Sequence, residues 1–414
     1  MDILIIADDL TGANDTNVQF AKFGARAITC YDLRSLALYP GFDIASLSTE
    51  SRSLTPENAY QKAATVIRRL PFQPEYFVYK KIDSALRGSF GIEIDALMDN
   101  MPWIKATLVA PAYPDNHRTT INGSQLVKGV PVHQTEIAAD PVTPVTDSNL
   151  LTVLGSQSRR KIGYLPLAQV LKGYPAVQSY IHSLISDHCE IIVADAETNE
   201  HLSTLARVIW DEKSLIPCGS AGLALALAEI YRQRSDWQQT KSINPSPFLA
   251  VVGSKSDVAG LQVTTARQEL PNIRMLAIDT DNLVDSSRAG AQMDRAVTAA
   301  LRIFAQERFL VLYLSSKVMH QSTDAPIIAS GLAEIACRIL QQVKIKTLFA
   351  TGGDTAAHIF DKLGIQALEL ENELEPGICK GRFVGGTYDG LGVITKAGSF
   401  GDAHTLVRII KNIH

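Results

Sequence analysis

Apolar residues in the first half of the chain come in short unbroken runs rather than in alternation with polar ones. Runs at 3–7, 27–31, 44–48, 76–80, 106–110 and 191–194 predict strands buried on both faces. Helix-like segments separate them, so the spacing predicts βαβ units and a mainly parallel sheet. Residues 111–149 interrupt the alternation. They are rich in Pro, Thr, Asn and Gly, and they predict an ordered excursion over the ligand edge, with Tyr113, Asn116, His117 and Arg118 favouring function. Around 233–247 the chain turns polar and Pro-bearing, and an apolar run at 248–252 then starts a second α/β alternation. The expectation is an α/β protein of two domains, 1–235 and 248–414, with a linker at about 236–247. Each domain has a mainly parallel sheet with flanking helices, and the ligand cleft is expected between them.

The first run leads directly into Asp8 and Asp9, then Thr11-Gly12 and a helix. Both carboxylates fall at the carboxyl end of a parallel strand, where open α/β sheets bind ligands. Like charges repel, so folding alone gives little reason to pair them there. Asp9 or Thr11 could equally cap the helix. A second block, Lys80-Lys81-Ile82-Asp83-Ser84-Ala85-Leu86-Arg87-Gly88, follows another strand and precedes another helix. Lys81, Asp83, Ser84 and Arg87 crowd one turn, and this mixture suits a small polar anion. Cations hold a carboxylate, and an aspartate accepts hydroxyl protons. A capping loop with internal salt bridges is the plainer alternative. Arg52, shortly after the third run, reads either as a surface arginine or as a third arrival at the same sheet edge.

In the second half, three strand–glycine–helix turns stand out: 251–256, 348–355 and 393–401. Glycines let backbone approach a ligand, and helix N-termini present N–H groups to phosphate. Three such turns in one domain point to an anionic ligand. No GxxxxGK followed by Ser or Thr occurs, and no GxGxxG convincingly follows a strand, so neither the P-loop nor the dinucleotide fingerprint is present. The missing GxGxxG turn argues against an NAD-dependent dehydrogenase.

Composition narrows the field. The chain has 414 residues, 46% apolar and 20% charged, which suits two globular domains. A net charge of −4 without a basic tract argues against a nucleic-acid partner. No apolar run approaches a membrane span, and the N-terminus does not read as a signal peptide. Five scattered cysteines without CxxC spacing and nine scattered histidines argue against a disulfide framework or a resident metal site. The expectation is a reduced, cytoplasmic protein that binds a small molecule and can form an oligomer.

The blocks at 7–13 (Ala-Asp-Asp-Leu-Thr-Gly-Ala) and 80–88 resemble the four-carbon acid sugar kinase family. So do Thr351-Gly352-Gly353-Asp354-Thr355-Ala356 and Lys396-Ala397-Gly398-Ser399-Phe400-Gly401. Together they span nearly the whole chain in family order. The Lys-Ile-Asp-Ser form is more similar to the D-threonate and D-erythronate kinases than to the 3-oxo-tetronate branch. Ala85 and Ser89-Phe90 depart from the commoner pattern and leave the charged positions intact.

The resemblance implies ATP-dependent phosphorylation, with Mg²⁺, of the terminal 4-hydroxyl of a sugar acid, D-threonate before D-erythronate. It implies substrate contacts at Asp8, Asp9, Arg52, Lys81, Ile82, Asp83, Ser84 and Arg87. Asp9 or Asp83 would be the base, and Lys81 would offset phosphoryl charge. Nucleotide contacts are implied at Ser254, Gly352, Gly353, Asp354, Thr355 and Gly398, with Pro376-Gly377 and Gly385-Gly386 nearby. Asp354 would meet either Mg²⁺ or the ribose. A non-catalytic sugar-acid binding protein is the alternative from another class.

Overall fold

The computed structural model describes residues 2–31, 33–39, 41–70, 77–140, 142–232, 246–254, 256–315 and 324–412. Apart from residues 246 and 247, the expected linker lies outside them. The chain divides into two units, Met1–Gln239 and Thr240–His414.

Strands of the first unit are β1 (Ile3–Ala7), β2 (Ala27–Cys30), β3 (Ile44–Ser48), β4 (Phe77–Lys81), β5 (Ala106–Ala110), β6 (Arg118–Ile121), β7 (Ser124–Val127), β8 (Val130–Pro131), β9 (Ile162–Leu165), β10 (Ile191–Ala194) and β11 (Leu215–Gly219). Its main sheet runs β2-β3-β1-β4-β11-β5-β10-β9, and every neighbouring pair is parallel. Helices cover both faces, which is why β1, β4, β5 and β10 are buried along their whole length. Strand order reverses at β1 and β4, and ligand crevices in such sheets open at that reversal. Helix Leu10–Ala21 packs with helix Ala221–Arg232, whereas helix Phe90–Asn100 packs with helices Pro56–Arg69 and Leu150–Gln157.

Two strands of this sheet escape the periodicity argument. β9 is a short edge strand interrupted by Gly163. β11 carries Pro217, which argues against a central strand. The structure accommodates it because β11 pairs with β4 only from Cys218 onward, so the absent N–H of Pro217 leaves no gap in that ladder. The fourth strand ends at Lys81 rather than at residue 80, and residue 76 lies outside the described set.

The described residues of the 111–149 excursion carry a small antiparallel sheet, β6-β7-β8, in keeping with the expected order. Its first hairpin turns through Asn122 and Gly123, both at positive φ (51° and 71°), the pairing that a two-residue hairpin favours. The N–H groups of both residues donate to the Asp195 carboxylate at 3.0 and 2.9 Å, which ties the hairpin to the segment after β10.

The second unit contains β12 (Phe248–Val252), β13 (Arg274–Asp279), β14 (Phe309–Ser315), β15 (Thr347–Thr351), β16 (Ala367–Glu375), β17 (Ile378–Val384) and β18 (Gly392–Lys396). They run β13-β14-β12-β15-β18-β17-β16, parallel as far as β18 and antiparallel beyond it. Phe248, Ala250, Val311, Phe349 and Ile394 form its core with helix residues Ala259, Leu406 and Ile410. Each such side chain stabilises the fold by roughly 1.5–3 kcal/mol when fully buried, less for alanine. No helix among the described residues is long and apolar enough to cross a membrane.

Candidate active site

Three neighbouring strands deliver the first group of predicted residues. β1 lies between β3 and β4, with Ala7 in register with both Ser48 and Lys81. The segments that follow therefore leave the same sheet edge together. Arg52 closes the gap between them. Its Nε and Nη2 donate to Asp8 at 2.7 and 2.9 Å, and its Nη1 and Nη2 donate to Asp9 at 2.7 and 2.8 Å. The backbone N–H groups of Ser51 and Arg52 also donate to Asp8 O, which fixes the loop beneath the guanidinium. Gly88, at φ +89°, passes so close that a Cβ there would lie 3.3 Å from Arg52 Cγ and 3.4 Å from Asp8 Oδ2.

Two carboxylates share this single guanidinium, and they differ. Burial works against the charge of Asp8, but Arg52, Lys80 and Lys81 outweigh it and hold that carboxyl below its ordinary range. Burial, with help from Asp8, pushes Asp9 above that range despite Arg52. Asp9 also caps helix Leu10–Ala21, accepting from Gly12 N at 2.8 Å. The capping reading of this residue holds, and the same carboxylate stands beside Asp8 at the strand edge, on the Arg52 guanidinium.

Consecutive strand residues face opposite sides of a sheet, and β4 uses this to separate its two lysines. Lys80, fully buried, donates to Glu93 Oε2 at 2.7 Å and Lys81 O at 3.1 Å. Lys81 points the other way, towards Gly12, where a Cβ would come within 2.8 Å of its Nζ. Its ammonium is 3% exposed as a residue and makes no hydrogen bond or ion pair among the described residues. The Asp8 and Asp9 carboxylates nearby attract it without a direct bond, so its N–H donors stay open to an incoming anion.

After β4 the chain turns through Leu86 at φ +64°. Arg87 Nε pairs with Asp83 at 2.6 Å and Arg87 Nη1 with Asp140 at 3.2 Å. Burial opposes the charge of Asp83, yet Arg87, Arg52 and Arg118 hold its carboxyl far below the usual range. Ile82 departs from expectation. Its side chain is wholly buried in the apolar cluster with Leu86, Phe90 and Val109, and its N–H bonds Gly219 O at 2.9 Å. It shapes the turn and presents no side chain to a ligand.

The excursion brings Arg118, which the sequence marked only as favouring function, and Gln125, which it did not mark, to this turn. Arg118 Nη1 donates to Ser84 Oγ at 2.5 Å, and Gln125 Nε2 donates to Ser84 O at 2.7 Å. Burial lowers Arg118 from its ordinary value against the pull of Asp83, so its charge would gain from a further anion. The Asn-Gly hairpin signal at 122–123 was the available clue to an ordered arm capable of placing it.

In the second unit, the ends of β12, β15 and β18 lie side by side, with Val252, Thr351 and Lys396 in register. Gly253 N bonds Thr351 O at 3.0 Å and Gly352 N bonds Lys396 O at 3.1 Å. Ser256 Oγ bonds Gly398 O at 2.8 Å and receives a bond from Ser254 Oγ at 3.1 Å. A Cβ at Gly253 would collide with Thr355, and one at Gly398 with Ser254. The structure thus brings Ser254, Gly352, Gly353, Asp354, Thr355 and Gly398 to one edge, at the start of helix Gly353–Lys362. Gly377 has a different reason to be glycine. It turns the β16–β17 hairpin at φ +76°, where a side chain would strike Phe400. Residue 255 lies outside the described set.

Residues 3–227 match a family model described as a sugar-binding N-terminal domain, and residues 249–406 one described as a nucleotide-binding C-terminal domain. The chain is 31% identical to a D-erythronate kinase of Heliobacterium modesticaldum, over 97% of this chain and 94% of that protein. It is 32% identical to a D-threonate kinase of Salmonella typhimurium, over 98% and 97%. Its fold is that of a Salmonella typhimurium protein of known crystal structure, with a TM-score of 0.82 at 22% identity over 99% and 98% of the two chains.

Proposed function

The chain belongs to the four-carbon acid sugar kinase family, and on that premise we propose that it transfers the γ-phosphoryl group of ATP to the terminal 4-hydroxyl of D-threonate, with D-erythronate as the nearest alternative. It is a sugar-acid kinase, acting on a small-molecule substrate and ATP. The observation that carries the finer reading is the pairing of a shared-guanidinium aspartate couple with the buried Lys81 ammonium at one strand edge. Nearly equal identity to threonate and erythronate kinases leaves the epimer to the residues around Ser84.

In this reading Asp9 is the base. Proton transfer works best when the carboxyl is not held too acidic, and Asp9 is raised where Asp83 is strongly lowered. Arg52 was expected to contact the substrate. Four hydrogen bonds commit it to Asp8 and Asp9, so we assign it to hold those two in place and assign the acid group to Ser84 and Arg118. Lys81 offsets charge developing on the transferred phosphoryl oxygens, and alignment carries much of such chemistry. The nucleotide is assigned to the glycine-rich edge of the second unit. Asp354, exposed in the first turn of its helix, fits a Mg²⁺ carried by ATP. Such an ion needs only one or two carboxylates besides phosphates and water, and no cluster of three or more candidate ligands occurs among the described residues. The bound ion would supply charge neutralisation on the phosphates.

The test is ADP release with Mg²⁺-ATP across D- and L-threonate, D- and L-erythronate and their 3-oxo forms. Strong turnover on D-threonate is the expected result. Turnover only on another four-carbon acid would replace the substrate, and silence across the panel with ATP binding intact would overturn the acceptor class.

A further inference from the structure

Lys396 ends β18 with its side chain turned inward, 1% exposed. Its Nζ donates to the carbonyls of Ala397, Gly398 and Phe400 at 3.0, 3.0 and 3.1 Å. An ammonium has three hydrogens, so one loop takes them all. Other donors reach the same row of carbonyls. Ser256 Oγ bonds Gly398 O at 2.8 Å, and Gln262 Nε2 bonds Phe400 O and Asp402 O at 3.1 and 2.9 Å.

A trans peptide is planar, and its C=O and N–H point in opposite directions. Drawing in the carbonyls of residues 397, 398 and 400 therefore turns out the N–H groups of Gly398, Ser399 and Gly401. These three N–H groups have no protein acceptor among the described residues. Residue 399 supplies the internal control. Its carbonyl takes no bond from Lys396, and the N–H in the same peptide, that of Phe400, turns back to Ala397 O at 3.2 Å.

Resting on the kinase reading above, we propose that Lys396 is a positioning residue: by gripping the loop carbonyls it presents the N–H groups of Gly398, Ser399 and Gly401 as a cradle for the phosphates of the nucleotide. Successive outward N–H groups form an anion-binding concavity. The loop lies against Ser254, since a Cβ at Gly398 would strike that hydroxyl. Helix Asp257–Glu269 starts from Ser256, which holds the same loop, so its positive end adds to the attraction for anions. Without the grip, the loop carbonyls are free to rotate outward and oppose the phosphates.

Burial lowers the Lys396 ammonium to about 7, against the pull of Glu375. Glu375 is itself paired with Arg408, which also holds Asp402. Loss of the proton removes one of the three donors, so the grip weakens as pH rises through neutrality.

Calorimetric titration of the full-length chain with Mg²⁺-ADP tests this. Lys396→Met should raise the Kd for ADP about tenfold or more while leaving sugar-acid binding unchanged. Wild-type ADP affinity should also fall more than that of the variant between about pH 6.5 and 8.5. ADP bound by folded Lys396→Met at wild-type affinity would overturn the proposal. If that variant does not fold, Gln262→Leu decides: it withdraws two donors from the same row and should weaken ADP about threefold, and an unchanged affinity counts against the cradle. Wild-type protein that binds no ADP at all would remove the nucleotide reading itself and the cradle with it.

Discussion

The strand edge of the first unit and that of the second use opposite materials. In the first, charged side chains do the work: Asp8, Asp9, Asp83, Glu93, Arg52, Arg87 and Lys80 are knitted into ion pairs around one turn system, with Lys81 close beside them. In the second, the edge is backbone, glycine and hydroxyl, with one buried lysine set behind a loop. The difference suits two kinds of ligand. A small hydroxy acid must be told from its epimers, which takes side chains at particular points. A polyphosphate is a larger anion that main-chain N–H groups and helix starts can hold without reading its detail. It follows that substitutions in the first unit should alter turnover and acid selectivity, whereas those in the second should alter nucleotide affinity.

The largest expected effect sharpens the first half of that contrast. Asp9→Asn should lower kcat by about 10²–10⁴-fold, whereas Asp83→Asn should act more through substrate affinity, because its carboxyl is already tied to Arg87 and held strongly acidic. Steady-state kinetics of both variants decide the matter. A loss below about tenfold for Asp9→Asn, or a larger kcat loss for Asp83→Asn, would reverse the assignment.

An intermediate effect is expected at Arg118. Arg118→Met should raise KM for the sugar acid by about ten- to a hundredfold, with ADP binding untouched, since Arg118 meets the first unit's turn at Ser84. Equal KM in variant and wild type would break the claim that the excursion contributes to acid recognition.

The smallest effect is a contrast in pH dependence. Asp83 is held low in the folded chain, so its contribution to stability is present above about pH 4 and is lost on acidification. Lys396 has the opposite sign. It is lowered to about 7 in the fold but keeps its proton to about pH 10 when unfolded. Between those limits the unfolded chain binds more protons, so stability at this site rises with pH. Melting curves of wild type and Lys396→Met should therefore shift in favour of wild type from about pH 6.5 to 9.5. A constant difference between them would mean that the lysine is neutral throughout or not buried in solution.

How far each edge could be read in advance follows from the same contrast. Asp8-Asp9 and Lys81 to Arg87 were legible because charged residues at the end of an apolar strand have few structural uses. The glycine-rich turns were legible only as turns, since a glycine at 398 marks close approach without naming what approaches. Three things required coordinates. The commitment of Arg52 to both aspartates depends on β3 lying beside β1. The inward turn of Ile82 depends on β11 lying beside β4. The function of Lys396 is invisible in sequence because its partners are main-chain carbonyls, which every residue possesses. β11 itself was hidden by Pro217, which a central strand seldom tolerates.

The Asn122-Gly123 turn, finally, bears on how this protein ages. An Asn-Gly step deamidates when the glycine nitrogen attacks the asparagine side-chain carbonyl to close a succinimide ring and release ammonia. Here the Gly123 N–H is bound to the Asp195 carboxylate, and Asn122 is held in the left-handed turn conformation beside it. The carboxylate that moors the excursion thus also keeps the attacking nitrogen occupied, and chemical damage at this step should accumulate in unfolded chains rather than in native ones.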